Sequence, residues 1–451
     1  MFCNISLRSF VLLSLLGFCS SPGLPALGQS PTVAPVLTRA PAQLNLDDCL
    51  RLAHEQNRSV LGSQTRVKAA SARLDQVKAG QFPTAIGTVQ DTNYNSAGSP
   101  FSAKEQVLQR LTVSDSIQPF GRYRSQKNAA KAGVRAARAD EAKTLIDTDF
   151  LVIKTFYDLL LAQQLIKVAS DSVDQLTSHR NNTEALVKAG STARFDLLRA
   201  EVQLAAARPP LIRAQATIAN SMADLMHLLG LDPQAAPEMI GSFPEALPIP
   251  ATEDEALDIA FKQRPDLESF RQQERGSFYS LKAARQGFQP SLQFAQSWDH
   301  SKGLRFPTDA FQYSSFTQIS LSYPFLDSGL TRAKSQEAAA THDQARITLE
   351  NAISNTLVEI RKAFSSLKEA KEVLRSQEKN VEQATEALSI AESAYEAGSR
   401  TSLDVLDAQV ALTQARTLRY QALHDHSIAL VQLRRSLGQP PLPGNSPPAS
   451  N

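Results

Sequence analysis

The chain repeats itself. Leu50 and Leu257 open two similar amphipathic stretches 207 positions apart, and the same spacing relates Gly80 to Gly287 and Pro83 to Pro290. Further along, Ile146, Phe150, Ile153, Tyr157 and Leu160 match Ile353, Leu357, Ile360, Phe364 and Leu367 at that offset. A tandem duplication with almost no length drift restricts the fold to two equivalent halves, residues 44–250 and 251–438. Each half turns about a glycine, Gly190 in Lys188-Ala189-Gly190-Ser191 and Gly398 in Glu396-Ala397-Gly398-Ser399. Helical periodicity runs into and out of both sites. Glycine accepts the left-handed conformation that ends a helix, and Ser399, Thr401 and Ser402 are suited to cap the next one. The spacing therefore predicts helical-hairpin tips at 189–195 and 397–403.

The helices are expected to be very long. From about Gly121 to Ala189 there is no strong breaker, which at 1.5 Å per residue is about 100 Å. Ile353, Leu357, Ile360, Phe364 and Leu367 step by four and three and continue through Leu374, Val381 and Leu388. That is a coiled-coil seam, loosened or wetted where Lys371, Glu378 and Thr385 fall on it. A composition of 42% hydrophobic residues with 19 Gly and one Trp suits narrow seams. Pro209-Pro210 predicts an interruption and kink in the descending helix of the first half. A shorter helix opens each half, the first running from Leu46 to about Gly80.

Between helices the period changes to two. Residues 316–325 place Thr317, Ile319, Leu321, Tyr323 and Phe325 opposite Gln318, Ser320, Ser322 and Pro324, and Leu292, Phe294 and Trp298 alternate likewise. Residues 84–93 and 106–118 occupy the same places in the first half, with Asp115 breaking the apolar row. Such segments, in hairpins at about 82–118 and 290–325 with loops at 95–100 and 299–307, have the pattern of transmembrane strands. Two soluble hairpins would show the same alternation. Four strands cannot close a barrel, and an open sheet in lipid leaves bare edges. Spanning strands thus require several copies of the chain in one barrel.

At the N-terminus, Arg8 precedes an apolar run over residues 9–17, and Ala26-Leu27-Gly28 offers a small-residue cleavage site after Gly28. Lipoprotein processing at Cys19 is the competing reading, disfavoured by the bulky Phe18. Cleavage leaves Cys49 alone, a small core residue. Residues 29–43 read as a Pro-rich linker and 439–451 as a disordered tail. No other stretch has eighteen consecutive apolar residues. A net charge of +2 without a basic stripe excludes a nucleic-acid partner. Phosphate-binding, zinc-protease and nucleophile-elbow motifs are absent. His424 and His426, two apart on a helix, do not face one another and make a poor metal pair. The chain reads as non-enzymatic, with no cofactor.

Helix, strand hairpin, long helix, tip and long helix, all duplicated, is the order that resembles the TolC family of outer membrane efflux proteins. The resemblance covers about residues 44–438. It is carried by Gly398-Ser399-Arg400-Thr401-Ser402-Leu403-Asp404-Val405-Leu406-Asp407, by the strand exit Tyr323-Pro324-Phe325-Leu326-Asp327-Ser328-Gly329, and by Leu229-Gly230-Leu231 and Ser436-Leu437-Gly438. It implies a homotrimer in which mainly α-helical protomers complete a 12-stranded barrel in outer-membrane lipid and a helical periplasmic tunnel. It further implies docking on a periplasmic adaptor and an inner-membrane pump, in efflux or type I secretion. By the same resemblance Asp404 and Asp407 ring the periplasmic aperture, Arg400 tethers it, and Gly190, Ser191, Gly398 and Ser399 lie at adaptor-docking grooves. Simple helix capping is the plainer reading of those tip residues. In the first half Asp196 matches Asp404, but Arg199 replaces the second acid. The alternative function is a soluble periplasmic coiled-coil scaffold or adaptor that conducts nothing.

Overall fold

Two polar residues, at equivalent places in the two halves, set the first turn of each repeat. Asn57 has extended backbone, ends helix α1 (Leu46–Gln56) and starts α2 (Arg58–Ala79), its side chain accepting from the backbone N–H groups of Ser59 and Val60. The expected continuous helix from Leu46 is therefore broken by an N-cap. Arg264 stands 207 residues later in the same conformation, between α5 (Glu253–Gln263) and α6 (Pro265–Arg285). Both side chains then reach the end of a long helix. Asn57 Nδ2 donates to the Leu228 carbonyl and Arg264 Nη1 to the Ser436 carbonyl, each at 2.8 Å.

The structure is a computed structural model describing residues 41–93, 105–118, 121–244, 247–303, 310–397 and 399–442. The expected signal segment and its cleavage site, most of the linker, the 95–100 loop, Gly398 and the chain beyond 442 lie outside these residues. Gln43 pairs in a short parallel ladder, β1 (Gln43–Leu44) with β4 (Glu238–Met239), so the linker ends before it. The tail begins later than 439, since Arg434 Nε donates to the Pro440 carbonyl at 3.1 Å and Leu442 packs on the core.

Helices α3 (Arg122–Lys188) and α7 (Leu330–Glu396) each have 67 residues, the first close to the stretch read from the sequence. α4 (Arg194–Leu229) returns from the first and α8 (Ser402–Ser436) from the second. α4 runs unbroken through Pro209 and Pro210, contrary to the expected interruption. The pair costs the helix two hydrogen bonds without ending it. The main core lies away from the tips, where Cys49, Leu50 and Ala53 of α1 meet Ile153, Phe156 and Tyr157 of α3 and Leu225, Met226 and Leu229 of α4. Burial pushes the Cys49 thiol up to about 12, so it stays protonated. Ala256, Ala260, Ile360 and Leu437 form the matching cluster of the second repeat.

The coiled coil of the second hairpin differs from the expected seam in one row. Ile360, Leu367 and Leu388 are buried as read, with Ala363 and Ala391 also buried between α7 and α8. Leu357, Lys371, Glu378 and Thr385 are exposed instead. Alanine lets two backbones approach closely, so a Leu–Ala seam excludes the longer side chains.

The four longer strands form one antiparallel sheet in the order β2 (Thr84–Asn93), β3 (Glu105–Ile117), β5 (Ser291–Gly303), β6 (Gln312–Ser322). β5 extends through residues expected in a loop, and β6 ends before Tyr323 because Pro324 has no N–H to give. The two hairpins, from different repeats, join at β3–β5, where Arg110 faces Asp299 and makes two hydrogen bonds of 2.7 and 2.8 Å. The pleat sorts the side chains. One face carries Thr88, Arg110, Thr112, Ser114, Asp299, Ser297 and Gln293 together with Ile86, Leu108 and Phe316. The other carries Val89, Leu111, Ile117, Phe294, Trp298, Ile319 and Leu321 with Asp115 among them, so the second face is the more apolar. Ile319 and Leu321 are about 70% exposed. No helix among the described residues is long and apolar enough to cross a membrane.

Candidate functional site

Each long hairpin reverses through the same backbone device. At the first tip the Ser191 N–H donates to the Leu186 carbonyl at 2.9 Å, with Gly190 at φ +77. At the second, the Ser399 N–H donates to the Ala394 carbonyl at 2.9 Å, and the Ser399 hydroxyl donates to the same oxygen at 2.9 Å. A bond from beyond the helix end back to its last turn closes the carbonyls that a terminus leaves open. Ser399 thus caps the helix behind it, not the one ahead as its position suggested.

The two tips part company at the start of the returning helix. The N-cap of α4 is Ala193, which has no side chain to offer. The N-cap of α8 is Thr401, 208 residues later, and it forms a full capping box. The Asp404 Oδ2 accepts from the Thr401 N–H and from its hydroxyl, both at 2.9 Å. These bonds hold the Asp404 carboxyl below the usual carboxylate range, with the Arg400 guanidinium, 3.6 Å from Oδ1, assisting. The Arg400 side chain is 58% exposed, so this pair contributes little to stability. Asp407 lies one turn further along α8, exposed, with no hydrogen bond or ion pair among the described residues. Arg400, Asp404 and Asp407 are therefore brought together, Gly190 and Ser191 sit at the other tip, and Gly398 is outside the described residues.

Sequence reasoning missed what holds the second tip in place. The Ser402 hydroxyl, in the first turn of α8, is 3.1 Å from His179 Nε2 on α3. One turn further from the tip, Leu406 of α8 is buried with Leu176 of α3 and Leu204 of α4. Farther along the same α3–α8 seam, His424 Nε2 meets Asp158 at 2.7 Å and His424 Nδ1 meets Asp425 at 3.0 Å. The carboxylates keep His424 above its ordinary value against the opposing effect of burial. His179 has only the hydroxyl, and burial holds it below its ordinary 6.5. Ser402 and His179 are 223 residues apart, and no local pattern announces the contact.

The family described as outer membrane efflux protein matches residues 49–231 and 256–439, one match for each repeat. The chain is 24% identical over 460 residues to the pyoverdine export outer membrane protein OpmQ of Pseudomonas putida, spanning 94% of this chain and 95% of that one. It is 27% identical to the cobalt-zinc-cadmium resistance protein CzcC of Cupriavidus metallidurans, over 96% of this chain and the whole of its relative. Among solved structures, the outer-membrane channel OprN superposes with a TM-score of 0.75 at 25% identity, covering 87% of this chain and 89% of its own. With both repeats matched, the chain belongs to the outer membrane efflux protein family.

Proposed function

We propose that Asp404 and Asp407 line the closed aperture of this outer-membrane exit duct, a passive conduit that performs no chemistry of its own. Three copies share one barrel. Each contributes four strands, apolar face to lipid and polar face to the lumen, and the free edges β2 and β6 pair between neighbours to give the twelve strands. The helices extend the lumen through the periplasm to the tips, where an adaptor seats on the grooves at Gly190-Ser191 and Gly398-Ser399 and an inner-membrane pump supplies the energy. Efflux or secretion partners select the cargo. Relatives bearing names as different as pyoverdine export and alkaline protease secretion support that division of labour.

The observation that carries the aperture assignment is Asp407, an exposed carboxylate left unpaired one turn from a carboxylate already engaged at the same helix end. Threefold symmetry sets six such groups around one axis. Close like charges raise the cost of closure and attract cations. In planar lipid bilayers, the double variant Asp404→Ala, Asp407→Ala raises the resting conductance and loses block by a multivalent cation added on the tip side. Unchanged conductance together with unchanged block refutes the assignment.

A further inference from the structure

The aperture acids stand on the first two turns of α8, so whatever fixes that end of the helix fixes them. Val405 packs it on Leu388 and Ala391 of α7, and among the described residues two contacts tie it to the first hairpin. One is the buried trio Leu176, Leu204 and Leu406, and the other is the Ser402–His179 hydrogen bond, one turn nearer the tip. The trio is apolar and indifferent to pH. The histidine is not: the Ser402 hydroxyl could accept from an imidazolium as well, but protonation would place a charge on a half-buried ring beside the N-terminus of α8.

We propose that His179 is a positioning residue of the aperture: its neutral imidazole latches Ser402, and with it the second tip, onto the first hairpin, and its protonation releases that tip. The surroundings favour the neutral ring. His179 is half buried, and Ser402 is the first residue of α8, so an imidazolium would face the positive end of that helix. The charged residues nearest in sequence are already occupied or offset. On α3, Arg180 pairs with Glu184 at 2.9 Å, and Lys188 pairs with the same carboxylate at 2.8 Å. At the start of α8, Arg400 and Asp404 pair with each other, and Asp404 is further committed to Thr401. On α4, Arg199 and Glu201 flank the buried Ala200. None of them shifts His179, whose value is set by burial alone.

A histidine whose value is lowered in the latched state contributes fully to latching above its ordinary 6.5 and loses that contribution as pH falls from there to the lowered value. The other end of the seam behaves oppositely, since His424 is held by two carboxylates and stays anchored as pH falls. Acid therefore frees the tip and leaves the shaft attached.

This inference rests on the aperture reading, and the test separates the two. In the detergent-extracted full assembly, spin labels at Asn182→Cys and Val410→Cys report the distance between the hairpins without reference to conductance. In the wild-type background the separated population rises on going from pH 7.5 to 5.5, by at most about tenfold per pH unit below 6.5. His179→Gln carries a side-chain amide out to the Nε2 position for Ser402 but cannot titrate, and its distances stay latched at both values. Ser402→Ala and His179→Ala are separated at both. A pH response that persists in His179→Gln, or wild-type distances that do not move, overturns the latch. A latch response without a matching conductance change would refute the aperture reading and leave the latch standing.

Discussion

Asp404 has two parts to play that the alanine substitution removes together. Its carboxylate completes the capping box with Thr401, and its charge stands beside Asp407. Asp404→Asn separates them, because the amide oxygen still accepts from the Thr401 N–H and hydroxyl while the charge is gone. The expected outcome is a thermal melt close to wild type with cation block weakened as in Asp404→Ala. A melt lowered as far as in Asp404→Ala, with block retained, would assign the residue to capping alone. At this scale the sequence is partly legible. Threonine followed three residues later by an acid is a helix-start signature, and that half of the tip can be read. Ser399 and Ser402 cannot be told apart from it, because each turns to a partner that only folding supplies, the Ala394 carbonyl and His179.

The long elements are legible where spacing dictates them and not where size does. Unbroken periodicity marks α3 to within a residue or two and the tip end of α7, whose start at Leu330 it does not mark. The seam of the second hairpin departs from its expected row because large apolar residues look the better core formers, although close helix approach selects the smaller alanine. The glycines ending α4 and α8 carry a second constraint beyond conformation. Gly438 has φ +74, and a Cβ there would stand 2.6 Å from Arg264 Cα, whereas Gly329, at φ +86, has open space around it. Gly329→Ala meets only the backbone cost, about 1–3 kcal/mol. Gly438→Ala adds displacement of the α5–α6 junction and lowers the melting temperature further. Equal losses at the two positions would mean that the close approach is not what requires glycine at 438.

For the whole molecule, the open sheet is the governing feature. Its two outer strands offer unpaired backbone groups alongside an apolar face, and in lipid those groups must be satisfied by another strand. The chain extracted from membranes in mild detergent is therefore expected to run as a trimer in native mass measurements. A water-soluble monomer would mean that the strands do not span. Both the duplication and the strand period are visible in the sequence, and the need for several copies follows from those two patterns alone. How the halves join is not visible there, because the β3–β5 register depends on residues nearly 190 positions apart.

The difference between Ala193 and Thr401 reaches further than two helix ends. Along its walls a threefold assembly of duplicated chains is a tube of six nearly alike hairpins, and a tube of six equal staves has no reason to narrow on any one of them. Half of the staves end in a capped acid with a second acid beyond it, and the other half in an uncapped turn with a single acid, Asp196, followed by Arg199. On the proposed aperture reading, doubling the unit lets one copy remain wall while the other serves as shutter, so a pore that counts in sixes along its length would close in threes.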